Sequence, residues 1–206
     1  SKYETIFFLL YIFLKKTKNK NSYLKKKILS NLSKKIILKL DIKKILDEIN
    51  IGSIGYIIDF LFQEQLSITK INDINQRKLS GSYYTPFFIA ESITEKTLVA
   101  KKNIKILDPC CGTGTFLSAV CKFLYSKNFS KEDIINSIYA FDINNDALII
   151  AKFIICSELK LSEKLTKKFL NNNNFKNIDS LLMDYPDQNL FSEKNLDIKF
   201  DYIVTN

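Results

Sequence analysis

The chain has 206 residues, 46% apolar and 26% charged, a composition that fits a globular protein and excludes a disordered one. Its 31 basic and 22 acidic residues leave a net charge of +9; it has no histidine, which excludes imidazole-built metal sites and Ser–His or Cys–His catalytic pairs. Four cysteines, two adjacent and none in a C-x-x-C pattern, outline no disulfide framework and suit a reducing, cytoplasmic setting.

The N-terminal quarter holds the charge excess. Residues 1–50 carry 13 Lys against four acids, whereas residues 51–206 carry 18 basic and 18 acidic residues. A segment of this kind suits contact with phosphates. A bias toward Lys, Asn and Ile also runs through the whole chain, as an A·T-rich coding sequence would produce, and both explanations stand. Ser1 points to a trimmed chain or an internal fragment. Residues 6–14 are apolar but too short to span a bilayer, and they lack a signal peptide's basic flank and cleavage site; a core-facing helix is expected.

Residues 3 to about 74 read as helices. Ile28, Leu29, Leu32, Ile36 and Leu40 approximate the helical period, as do Ile42, Ile45, Leu46 and Ile49, with Lys on the other faces. Residues 50–55 punctuate, and residues 56–66 resume an apolar helix. This predicts a small α-helical domain over 1–74, followed by a second domain over 75–206. A polar loop is expected over 75–85, then a helix opened by Pro86 and running to about Lys101. A strand near 104–108, a helix near 115–127, a strand near 137–142 and a helix near 145–159 follow. A polar stretch reaches Asn174, with short strands near 175–178 and 200–204. Such alternation implies an α/β fold, a Rossmann-like parallel sheet with helices on both faces, left unfinished where the chain stops at Asn206.

The most informative run is Asp108-Pro109-Cys110-Cys111-Gly112-Thr113-Gly114. It reads as a strand, a glycine-bearing turn and the start of a helix, the place where open α/β sheets take nucleotide-like ligands. Gly112 and Gly114 allow a tight turn and close approach of backbone to ligand. The carboxylate ahead of the glycines suits a cofactor with a cationic amino acid moiety, such as S-adenosylmethionine, better than a pyrophosphate. Other α/β proteins carry a glycine turn after a strand without this chemistry.

Four further features stand in order around it: Gly81-Ser82-Tyr83-Tyr84-Thr85-Pro86, Phe141-Asp142-Ile143, Asp179-Ser180-Leu181, and Asp201-Tyr202-Ile203-Val204-Thr205-Asn206. Together they resemble the gamma-class adenine-N6 DNA methyltransferases, especially type I modification subunits and fused type IIG restriction-modification enzymes. The resemblance covers about residues 80–206. The N-terminal helices share only their placement with the helical domain of such enzymes.

The resemblance implies S-adenosylmethionine as cofactor and double-stranded DNA as partner, with a specificity or restriction subunit or domain as a further one, and no membrane. It implies that Thr85 and the backbone of Tyr83, Tyr84 and Pro86 hold the methionine carboxylate. Asp108 would face the methionine amino group, and Gly112 and Gly114 would clear space. Asp142 would bind the ribose hydroxyls with Ile143 against the adenine ring. Asp179 would accept from the adenine amino group with Leu181 nearby. Asn206 matches the first residue of the N-P-P-Y motif and would be catalytic; no metal is needed. The two prolines and the aromatic ring of that motif are not among the 206 residues, so the chain by itself is expected to be inactive. Methylation of RNA or of a protein glutamine is an alternative, as is a non-catalytic module from a split gene. Glu158-Leu159-Lys160 has the E-x-K form of a nuclease metal site, but a solvated helix face is expected there.

Overall fold

The computed structural model describes residues 7, 8, 10, 11, 14, 20–30, 70, 71, 74, 75, 85–182 and 198–205. Its elements, in chain order, are α1 (Ser22–Leu29), β1 (Lys70–Ile71), β2 (Ile74–Asn75), α2 (Phe87–Thr97), β3 (Ile106–Asp108), α3 (Thr115–Ser126), α4 (Lys131–Ser137), β4 (Ile138–Asp142), α5 (Asn145–Glu158), α6 (Glu163–Leu170), β5 (Phe175–Asn177), a 3₁₀ turn (Ser180–Leu182) and β6 (Tyr202–Ile203).

Four strands form a parallel sheet in the order β5-β4-β3-β6. Within it β3 is interior. Ile106 pairs with Ile138 on one side and Tyr202 on the other. All three β3 residues are buried, which is why this strand reads as an unbroken apolar run ending in an acid. The chain moves outward one way through β4 and β5, then returns to add β6 on the far side of β3. That reversal makes the carboxyl end of β3 a topological switch point, where α/β sheets take ligands. The architecture is the Rossmann-like one that the strand–helix alternation predicts.

Helices α3 and α5 bury most of their apolar residues, among them Leu117, Val120 and Leu124 of α3 and Ile150, Ile154 and Ile155 of α5. Side-chain caps set several starts: Asn21 for α1, Ser130 for α4, Asn144 for α5 and Ser162 for α6. Among the described residues, no helix is long and apolar enough to cross a membrane.

The described N-terminal residues join the same core. Phe7 meets Phe153 of α5 edge-on, with ring centroids 5.9 Å apart, and Leu10, Leu14, Leu24 and Ile28 belong to the cluster around α5. Asn21 is buried. Its Nδ2 donates to the Leu161 carbonyl (2.9 Å) and Thr166 Oγ1 (2.6 Å), while its Oδ1 accepts from the Leu24 N–H (2.9 Å). Residues 31–69 and 76–84, which hold most of the predicted helical periodicity and the Gly81-to-Tyr84 run, lie outside the described residues.

Three expectations change. β1 and β2 form an antiparallel pair where helix was expected to about residue 74; Asn72-Asp73 between Ile71 and Ile74 is a turn signal that outweighs the short apolar spacing. α2 stops at Thr97, not near Lys101, because Leu98 turns extended and buries itself. α4 and α6 fill stretches read as irregular. Each is about two turns long and sits in polar, Lys-rich sequence; α6 packs Leu165, Phe169 and Leu170 on the core, a stripe too short to stand out there.

Candidate functional site

Three neighbouring strands present carboxylates at the same end of the sheet. Asp108 ends β3, Asp142 ends β4, and Asp179 follows β5 by two residues. Their fields meet at Cys110, whose thiol is pushed up by burial and then by Asp108, Asp142 and Asp179 in turn.

Asp108 is the least satisfied of the three. It is only 2% exposed, and its Oδ1 accepts one described hydrogen bond, from the Cys110 N–H at 3.2 Å. Burial drives its carboxyl up from 3.8 to about 7; the Cys110 N–H opposes this and Asp142 adds to it. Such a group is poised to gain from a cation.

Asp142 is a structural tie as well as a carboxylate. Its Oδ2 accepts from the Gly112 N–H (2.8 Å) and its Oδ1 from the Asn144 N–H (2.7 Å), joining the glycine turn to the start of α5. Burial raises its pKa, and the N–H groups of Asn144 and Gly112 hold it back. Each oxygen keeps further lone-pair capacity.

The two glycines serve different ends. Gly112 has φ +51°, and a Cβ there would meet nothing within 4 Å, so it borders open space. Gly114 has φ +89°, and a Cβ there would lie 3.0 Å from Ala151 Cβ. Close packing of the turn on α5 therefore requires Gly114, a reason distinct from the clearance for a ligand that its sequence position suggests.

The third strand closes onto the same turn. Asp179 Oδ1 accepts from the Leu181 N–H (2.9 Å), and Ser180 Oγ donates to the Pro109 carbonyl. Asn177 Nδ2 and the Ile178 N–H both donate to the Asp142 carbonyl, at 2.8 and 3.1 Å. Beside these carboxylates, Ile143 and Leu181 stand 61% and 89% exposed. Exposed apolar side chains next to carboxylates are the lining that a flat, polar-edged ring would use.

Thr85 and Pro86 are half-buried and lead into α2. The Pro86 carbonyl accepts from the Ile89 and Ala90 N–H groups, so this residue starts the helix as its fixed φ predicts. The Lys122–Glu91 ion pair and Lys122 Nζ, 5.7 Å from the Phe87 ring centroid, fasten α2 to α3. Tyr83, Tyr84 and Asn206 lie outside the described residues. Glu158, the last residue of α5, is exposed as a residue, yet burial pushes its carboxyl up to about 7 against a hydrogen bond with Ser118 and the charge of Lys122, so the solvated-helix reading of E-x-K holds for its backbone position and not for its carboxyl group. Among the described residues, no group of three or more His, Cys, Asp or Glu is arranged to hold a metal ion.

Sequence reading missed Ser180 and Asn144. The Asn144 cap carries a signal, an Asn directly before an apolar helical run. Ser180 carries none, because its partner lies 71 positions away.

A protein-family profile described as N-6 DNA Methylase matches residues 68–206, about two thirds of the chain. The chain belongs to the N-6 DNA methylase family. A nuclease-deletion mutant of the Type ISP restriction-modification enzyme LlaGI, solved in complex with a DNA substrate mimic, aligns with 75% of this chain at 19% identity and a TM-score of 0.39. The alignment covers 17% of that chain, so this chain spans about a sixth of that enzyme's length. The profile match begins ahead of β1 and takes in every strand of the methylase sheet, so the three carboxylates and both glycines fall inside it.

Proposed function

We propose that this chain is the methyl-donor-binding part of a site-specific DNA methyltransferase acting on adenine N6, within a restriction-modification system. Family membership supports a methyltransferase. The observation that carries the finer reading is the convergence of Asp108, Asp142 and Asp179 around the glycine turn.

These residues fit S-adenosylmethionine. When bound, it supplies an electrophilic methyl group on a sulfonium. Asp108, buried and short of partners, would pair with the methionine ammonium. Asp142, with lone pairs to spare, would accept from the ribose hydroxyls. Asp179 would accept from the adenine amino group, with Ile143 and Leu181 against the ring. Gly112 would leave room beside the turn, and Thr85 with the Tyr83–Pro86 backbone would hold the methionine carboxylate. Asn206 would accept a hydrogen bond from the target adenine's amino group, favouring the tetrahedral, more nucleophilic nitrogen.

The partner of this reading is double-stranded DNA, with a specificity or restriction subunit or domain beside it. The 206 residues by themselves are proposed not to transfer methyl groups, since the second acceptor and the ring that stacks on a flipped base are not among them. Methyl transfer from labelled S-adenosylmethionine to duplex DNA tests both points. A longer protein carrying this segment should label adenine N6 and the 206-residue chain should not. Labelling of RNA or protein by the longer protein would overturn the substrate, and labelling of DNA by the 206 residues would overturn the role of the missing motif.

A further inference from the structure

The methyl-donor cleft lies at the carboxyl ends of the strands. A second concavity, of about 770 Å³, opens at their amino ends. Its walls come from residues 100–105 ahead of β3, residues 127–129 after α3, and α4 just ahead of β4. Four lysines line it, Lys101, Lys102, Lys105 and Lys127, against one carboxylate, Asp133. The lining therefore carries a net charge of +3, while the methyl-donor cleft is ringed by carboxylates.

Structural contacts use part of this charge: Asp201, just outside the lining, neutralises Lys101, and Lys127 Nζ lies 5.5 Å from the Phe123 ring centroid. Asp201 Oδ2 also accepts from the Lys105 N–H at 2.8 Å. Among the described residues, Lys102, Lys105 and Lys127 are in no ion pair, though Asp201 feels the Lys105 charge as well. Asp133 is engaged by Ser130 Oγ at 2.6 Å, in the cap of α4. Asn103 and Asn128 adopt left-handed backbone at φ 57° and 63°, turning the chain sharply at both sides of the mouth. Half-buried Phe129 adds an apolar surface to the wall. Lysines are point-charge partners of phosphate, and a concavity of this size is in the range that holds a small ligand.

We infer that this basic pocket binds phosphate groups of a nucleotide or of a polynucleotide strand, at a site separate from the methyl-donor cleft. The inference does not depend on the methyltransferase reading, because none of the cleft residues takes part.

The test is binding of the intact 206-residue chain to three fluorescent or calorimetric probes: ATP, inorganic tripolyphosphate and a short DNA duplex. The Lys102→Gln/Lys127→Gln double variant serves as comparison, and its thermal unfolding midpoint, unchanged from the parent, shows that it folds. At least one probe should bind with affinity that falls as salt rises, and the double variant should weaken it about tenfold, because each lysine–phosphate contact carries part of the salt-sensitive affinity. Preference for ATP or tripolyphosphate identifies a free nucleotide as the source, and preference for the duplex identifies a strand. Binding of none of the three, or binding that the double variant leaves intact, overturns the pocket. S-adenosylmethionine affinity, measured in parallel and expected to be equal in both proteins, separates this outcome from failure of the cleft.

Discussion

Asp108 and the two glycines carry the sharpest consequences for single residues. The Asp108 carboxyl titrates near 3.8 in the unfolded chain and near 7 in the fold. The folded state thus holds the proton longer. Its contribution to stability is full below the unfolded value and is lost as pH rises from about 4 through 7, a change on the order of 4 kcal/mol. Asp108→Asn should flatten that slope and raise stability at pH 8, as urea denaturation across pH would record. The same exchange should weaken S-adenosylmethionine, whose binding by the parent should tighten as pH rises through 7 and Asp108 ionises. Loss of stability at pH 8 in the variant would mean that the buried carboxylate is already compensated. Gly114→Ala combines a left-handed φ with a 3.0 Å contact to Ala151 and should cost roughly 2–4 kcal/mol. Gly112→Ala meets only the backbone strain, roughly 1–2 kcal/mol, yet should impair cofactor binding more. Equal unfolding midpoints for the two would contradict the division of labour between them.

At the scale of elements, β3 and its turn were legible from the chain alone, because an interior parallel strand is an apolar run and its ligand turn needs glycines. β4 and α5 were legible from apolar continuity, although the Asn144 cap that opens α5 was not read. α4 and α6 were not. Glu163–Leu170 carries a short apolar stripe, Leu165, Phe169 and Leu170, that the surrounding Lys- and Asn-rich sequence obscures, and its place is set by contacts with α1 across 140 and more positions. The tie of α1 to α6 was equally invisible, since Asn21 looks like any polar residue in a Lys-rich stretch. Asn21→Ala removes a cap and leaves the Leu161 carbonyl without its side-chain donor. It should cost about 1–3 kcal/mol in chemical denaturation. A change near zero would mean that α1 docks on the sheet by apolar contact alone.

At the scale of the whole fold, and among the described residues, the two ends of one sheet present faces of opposite charge. Carboxylates cluster where the strands end, and lysines line the concavity where they begin. The first face was readable as a set of motifs, because strand-end acids at this spacing are local features of sequence. The second was not, because its lysines come from loops that only the fold brings together. The central claim is that the acidic face holds S-adenosylmethionine through Asp142 and its neighbours. Calorimetric titration of S-adenosylmethionine into the 206-residue chain and into its Asp142→Ala variant tests it most directly. Saturable one-to-one binding to the parent, weakened by roughly 1.5–3 kcal/mol in the variant, is the predicted result; no binding to the parent, or equal binding to both, would contradict it.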